Sequence, residues 1–334
     1  MEQNNGKAWS DLLTNGTPLQ DLFVTSQTAP VAAASLKPQL HVGSGYRYGN
    51  LTWFPVWTDA PLAARKYSTA AGLAFKVAEA PQASVPTLQV ENEADLDLVL
   101  LEGMILEGGW QHRALTQSIV IPARSVAEIP VVCVEQSRWG GSHQQAAGKK
   151  VAPTAVRVAM RGLSRDQLGN VSQLGPDQSR VWSNVADYQD RHKTKAATHS
   201  LADIQDELDG KATPLPAVQA LPGQRGVVIA ALGQPIAFEL FDHPDTLAER
   251  LEGMLQGFQL DVADKSYVEA RGQAARDFVI QATKVRLNEI SRSAKYIRSQ
   301  SANSRYVAAD ALVHDGDLVH LSCINSQHEL VLAA

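Results

Sequence analysis

Residues 96–139 read LDLVLLEGMILEGGWQHRALTQSIVIPARSVAEIPVVCVEQSRW, and the reading of this stretch decides the fold. Three apolar runs bounded by Gly, Pro or polar clusters stand in it: Leu96 to Leu101, Ala114 to Ile121 and Ile129 to Val134. Each is too short for a helix and fits a buried strand. The PARSVAE segment between the last two suits a loop, so an antiparallel hairpin is the simplest connection. If Ile121 faces Glu128, Arg113 falls opposite Gln136 and Gln111 opposite Arg138; a slip of one residue sets Arg113 against Glu135 instead. Either register gathers Gln111, Arg113, Glu135 and Arg138 at one end of the hairpin, with Trp110 and Trp139 beside them.

Such a cluster has two readings. As structure, it is a partly buried polar network closing the end of a sheet, with an Arg–carboxylate pair and two indole caps. As a site, the guanidinium groups of Arg113 and Arg138 and the amide of Gln111 bind phosphate or carboxylate oxygens, and Trp110 or Trp139 stacks on a base or sugar. Glu102 or Glu135 then binds ribose hydroxyls or serves as a general base.

The run EGMILEGGWQHR, followed about twenty residues on by IPVVCVEQSRW, resembles the signature of the ARG and rhodanese-phosphatase superfamily associated protein domain, where ARG stands for ADP-ribosylglycohydrolase. Upstream, NLTWFPV at 50–56 and SVPTLQVENEADLDLVLLEG extend the likeness. Downstream it runs through RVWSNVADYQ, GVVIAALGQPIAFELFDHPDTLAERLEGMLQGF and ALVHDGDLVHL, to about residue 324. The family pattern more often has Asn where His112 stands and Gly where Ser137 stands. The resemblance implies an association with ADP-ribose-handling enzymes, and hence a module that binds or senses ADP-ribose, NAD or a related nucleotide. A hydrolase acting on such a nucleotide, with Glu102 or Glu135 as base, is the alternative from the enzyme class. A scaffold offering an exposed Trp edge to another protein is a third.

The rest of the chain frames this stretch. With 334 residues, 44% of them hydrophobic and 19% charged, it is a globular sequence long enough for one large or two ordinary domains. A net charge of −5 argues against a general nucleic-acid partner, which needs a basic stripe. Cys133 and Cys323 lie in apolar strand patterns and read as reduced core residues. The N-terminus lacks a basic start and an apolar core, so a cytoplasmic protein without a secretory leader or membrane span is expected. No His or Cys spacing suggests a metal, and no cofactor fingerprint follows a strand, so none is expected.

The expected class is α+β: an antiparallel, sandwich-like or curled central sheet with flanking helices and a C-terminal helix-plus-hairpin region. Residues 1–48 read as a loose arm with a short helix near Trp9 to Leu13. Residues 49–212 form a β-rich domain with helices, 213–224 a Pro-rich connection, and 225–334 an α+β C-terminal region. Within these, a helix is expected at Tyr67 to Ala78, strands at Val85 to Val90 and Ala155 to Met160, and a mobile Gly-rich loop after Trp139. Helices are expected over 177–192, from Ser200 to about Leu208, from Asp242 onward with Asp242 capping it, and over Lys265 to Thr283. Asp315-Gly316 between alternating apolar runs predicts a two-residue hairpin turn with His314 facing Asp317.

Overall fold

The computed structural model describes residues 17–18, 39–70, 75–211, 214–301 and 304–334; the expected helix near Trp9 lies outside them. The chain is α+β. Its central stretch closes into an antiparallel barrel, in the order Arg113–Leu115, Ser125–Cys133, Thr87–Asn92, Phe75–Ala78, Gln144–Val151, Met104–Gly108. Alternate residues point inward, so Val77, Leu88, Val90, Met104, Leu106, Leu115, Ile129 and Val131 fill one apolar interior.

Against the barrel lies a ten-stranded sheet, ordered Thr17–Pro18, Arg286–Arg292, Tyr296–Ser301, Val307–His314, Asp317–Asn325, Gln234–Phe241, Gly226–Ala231, Leu51–Thr58, Leu40–Val42, with Tyr46–Tyr48 also paired to Leu51–Thr58. It takes strands from both sides of the irregular connection 214–224, which the Trp57 indole holds by donating to Pro222 O at 3.0 Å. Both faces of the sheet are covered, which is why its central strands are apolar almost throughout. Val227, Ile229, Ala237 and Phe241 face helix Pro244–Leu260 and the barrel, while Val228, Ala230, Phe238 and Leu240 face helix Gly272–Thr283. Helices Thr154–Met160, Gln178–His192 and Leu201–Lys211 cover the outside of the barrel through Val156, Val181, Val185 and Ile204 on Ile105, Ala114 and Val132.

The C-terminal turn is as expected: Asp315 and Gly316 have φ of 48° and 89°, and His314 pairs with Asp317. Both cysteines are buried and free. Five expectations are corrected. In place of the helix expected over Tyr67 to Ala78, Tyr67–Thr69 pairs parallel with Asp97–Leu100 and Phe75–Ala78 closes the barrel. The Ala-rich spacing suggested a helix, but the alternation Tyr67/Thr69 and Phe75/Val77 is what the neighbouring sheets bury.

Ala155 to Met160 is helical rather than extended, because helix Thr154–Met160 places Val156, Ala159 and Met160 on one buried face. The segment after Trp139 is mobile-loop composition only to His143; Gln144–Val151 is the strand that completes the barrel. The helix expected from Lys265 begins at Gly272, since the preceding backbone is engaged by Asn50, which binds Val262 O and Lys265 O, and by Thr52, which accepts from Ala270 N. Finally, Ala114 to Ile121 is two strands in two sheets. Arg113–Leu115 pairs with Val131 to Cys133, while Ile119–Ile121 pairs with Asp97–Leu100. Thr116 makes the last barrel contact by binding Pro130 O, and Ser118 then turns to His320, so the chain leaves the barrel there.

Helix Pro244–Leu260 meets the barrel through Gly253 and Gly257, one turn apart. A Cβ at Gly253 would lie 2.0 Å from Lys149 O, and one at Gly257 2.5 Å from Val151 O. Backbone meets backbone there. Helix propensity favours Ala over Gly by about 1 kcal/mol, yet Gly257→Ala is expected to destabilise the protein by about 1–3 kcal/mol through overpacking. Urea unfolding checks the sign: a variant at least as stable as the parent would contradict this contact.

Candidate functional site

Gln111, Arg113, Glu135 and Arg138 do come together, at the mouth of the barrel, though by neither expected register: Arg113 pairs with Cys133, not with Gln136 or Glu135. Arg113 points along the barrel interior, since Leu115 and Val131 on the same face belong to that core. Its Nη1 donates to Gln111 Oε1 at 2.9 Å, and Gln111 Nε2 donates to Glu135 O at 2.9 Å. Trp110 and Trp139 meet edge to face at 5.2 Å above it, with the Arg113 guanidinium 5.8 Å from the Trp139 ring.

The hydrogen-bond inventory decides what this cluster has left to offer. Glu135 Oε1 accepts from Arg138 Nε at 2.7 Å and Thr198 Oγ1 at 2.7 Å; Oε2 accepts from Arg138 Nη2 at 2.6 Å and His112 N at 2.9 Å. A carboxylate has about four acceptor sites, and these are filled. Burial would raise the pKa of Glu135, but the bonds from Arg138, Thr198 and the His112 amide outweigh it and hold the group ionised. Arg138 is equally occupied, donating also to Gly108 O, Gly109 O and Gly140 O. It clasps the Glu135 segment to the glycine turn at the barrel mouth. The free capacity lies deeper: Arg113 Nε and Nη2, Glu79 Oε2 and Gln145 Oε1 are buried without a hydrogen bond among the described residues.

Glu102 is elsewhere. It follows strand Asp97–Leu100 and faces the layer between barrel and sheet, where its oxygens accept from Arg161 Nε and Nη2 at 2.8 and 2.5 Å. Arg161 Nη2 and Arg157 Nη2 both donate to Ser322 Oγ, and Arg157 Nη2 also to Glu239 Oε1 at 2.8 Å. His320 joins Glu239 Oε2 at 2.9 Å to Ser118 Oγ at 2.7 Å. Burial pushes the Glu239 carboxyl up, and Arg157, His320 and Arg161 together bring it down to about 2. These residues lie inside apolar runs, TAVRVAMR and FELF, and a charge within a buried run was the signal available in the sequence.

Another opening lies at a third place, among residues the sequence did not mark as a site. A cavity of about 60 Å³ is lined by Lys66, Tyr67, Arg225, Asp242, His314 and Asp317, among others. Asp242 was expected to cap helix Pro244–Leu260, but that task falls to His243, whose Nδ1 accepts from Asp245 N at 3.2 Å. Asp242 instead accepts from the Tyr67 hydroxyl at 2.5 Å, and Thr246 Oγ1 lies 2.8 Å from the same hydroxyl. Burial raises Asp242 to about 6, against the lowering by Tyr67 and Arg225. Arg225 is fixed by donating to Ala60 O and Phe241 O at 3.0 and 3.3 Å. His314 turns away from the cleft to Asp97 Oδ2 at 2.9 Å. Asp97, His314 and Asp315 are close enough to share a metal ion, but Lys295 already places its ammonium 2.9 Å from both Asp97 oxygens, so the charge is met by the chain itself.

The described architecture is thus an α+β protein in which a barrel and a sheet share a buried ion-pair layer, with an open polar cleft at the sheet. A family model, the ARG and Rhodanese-Phosphatase-superfamily-associated Protein domain, matches residues 39–324, and the chain belongs to this family. The name ties the family by association to enzymes of ADP-ribose handling. Neither curated proteins nor solved structures yield a match. No helix among the described residues is long and apolar enough to cross a membrane.

Two outcomes are expected from this geometry. Glu135→Ala strands Arg138 and the His112 amide and is expected to lower stability by about 3–5 kcal/mol, as for breaking a buried pair, read from urea unfolding; a loss below that of an ordinary surface change would refute the clasp. Asp242 titrates with the opposite sign to a paired carboxylate. Its folded value, about 6, lies above the ordinary one of 3.8, so the folded state binds the extra proton between these pH values and stability falls as pH rises through them. The loss is at most about 3 kcal/mol. Asp242→Asn should therefore gain on the parent from pH 4 to 6 and hold the gain above; a difference flat across that range would count against the assignment.

Proposed function

We propose that this chain is a binding module for an anionic, hydroxyl-bearing head group of the nucleotide class, such as the ribose phosphate end of ADP-ribose or NAD, taken into the cleft at Lys66, Arg225 and Asp242. The carrying observation is that cleft, where two cations, a buried hydroxyl and two carboxylates line one opening of about 60 Å³. That is space for roughly four to six waters, so it suits a phosphoryl or pentose group and leaves the remainder of a ligand outside. Lys66, exposed at the rim and only loosely paired with Asp317 at 4.0 Å, and Arg225, anchored deeper, are placed for anionic oxygens. Asp317 and Asp242 are acceptors for hydroxyls. In this reading Gln111, Arg113, Glu135 and Arg138 hold the barrel mouth closed, and Trp110 and Trp139 are its cover.

A hydrolase is the second reading, favoured by a specific observation. Its base would be Asp242, a carboxylate raised toward neutrality in a cleft, and not Glu102 or Glu135, each of which is forked by an arginine. Calorimetric titration with ADP-ribose, NAD and ribose 5-phosphate tests the module. Lys66→Met is expected to weaken phosphate-bearing ligands about tenfold, the worth of one charge-assisted hydrogen bond. Absence of binding by the parent to all three ligands would end the proposal. Turnover of ADP-ribose or NAD by the parent, abolished in Asp242→Asn with binding retained, would establish the second reading over the first.

A further inference from the structure

Behind Phe241, whose ring also borders the cleft, the layer between barrel and sheet contains a smaller cavity of about 10 Å³. Arg157, Arg250, Glu102, Glu239 and His320 line it. Arg250, on helix Pro244–Leu260, is 7% exposed and has neither a hydrogen bond nor an ion pair among the described residues. Arg157 is buried too, and its Nε and Nη1 donate no hydrogen bond. Around this space Arg157, Arg161 and Arg250 bring three positive charges against the two negative charges of Glu102 and Glu239, whatever the state of His320. Glu249 and Asp310 also act on Arg250 and Arg161, but each is paired with a cation of its own, Arg65 and Arg298, so one positive charge of the group is left over.

An arginine without a counter-charge in such a place is among the most costly arrangements a folded chain can hold. Burial and the facing Arg157 lower the Arg250 pKa to about 10, which still leaves the guanidinium charged at neutral pH. A trapped water accepts hydrogen bonds but leaves the excess charge. A cavity of this size holds about one water-sized particle, which excludes phosphate, sulfate and carboxylates. We propose that the cavity between Arg250 and Arg157 is a binding site for a single halide ion, chloride under physiological conditions. The ion accepts from the free N–H groups of both arginines and brings the five charged side chains to balance. This site is independent of the ligand reading of the cleft and stands or falls separately.

The test is thermal unfolding of the full chain at constant ionic strength in sodium gluconate, whose anion cannot enter, with gluconate progressively replaced by chloride or bromide. Halide is expected to raise the melting temperature by several degrees in a saturable way, as for any ligand of the native state. In Arg250→Met the halide response disappears, and the variant in gluconate melts no lower than the parent, because the unmatched charge has gone. A merely structural arginine would instead give a variant that melts lower in both salts. Crystals grown in bromide are expected to show anomalous density between Arg250 and Arg157, a readout that does not depend on the variant folding. Equal melting in gluconate and halide, a halide response surviving in Arg250→Met, or a cavity without anomalous density would each overturn the proposal.

Discussion

The fold depends on a charge layer where apolar side chains would ordinarily be. Glu102 stands just before the chain enters the barrel, Arg157 and Arg161 come from the helix and its end, and Glu239 and Ser322 stand on adjacent strands of the sheet. Each of these groups, removed from water alone, would cost several kcal/mol. Only one mutual arrangement lets Arg161 fork onto Glu102 while Arg157 reaches Glu239. The network therefore fixes how the barrel sits on the sheet more sharply than hydrophobic contact does, since apolar surfaces tolerate sliding and bidentate ion pairs do not.

Close backbone approach serves the same junction. Gly253 and Gly257 let helix Pro244–Leu260 press against Lys149 and Val151 of the barrel strand, and the same helix supplies Arg250 to the charge layer and Leu247, Leu251, Leu255 and Phe258 to the core. One element thus spans both cavities: its first turn carries Thr246, which meets Tyr67 at the cleft, and its middle borders the smaller one. Phe241, stacked on His320 at 4.8 Å, is the wall between them. Occupancy on one side bears on the other only through that ring and the strand that carries it.

The barrel mouth illustrates how a concentration of polar residues is divided between framework and free capacity. Arg138 and Glu135 satisfy each other, so the most conspicuous charges of the stretch are the least available. Arg113 keeps two unbonded nitrogens, but under the two indoles. The cleft shows the converse. Its Asp242 and Arg225 are separated by long stretches of sequence from Lys66 and Tyr67, and nothing in the local pattern around any of them marks a site.

The sequence by itself determined the α+β class, the family, the three apolar runs of residues 96–139, the reduced cysteines and the Asp315-Gly316 turn. Each of these is written in local alternation, turn chemistry or contiguous motif. It also determined that Gln111, Arg113, Glu135 and Arg138 meet, because two short strands must pair end to end whichever register they take. Only the tertiary structure decided that register, since Ser118 leaves the barrel for a partner on His320 far along the chain. It alone decided that Thr154–Met160 is a helix, that Gln144–Val151 is the closing strand, and that Asp242 faces Tyr67 rather than capping its helix. Those outcomes turn on which face finds a buried partner, and the partners lie tens to hundreds of residues away, where no local pattern reaches.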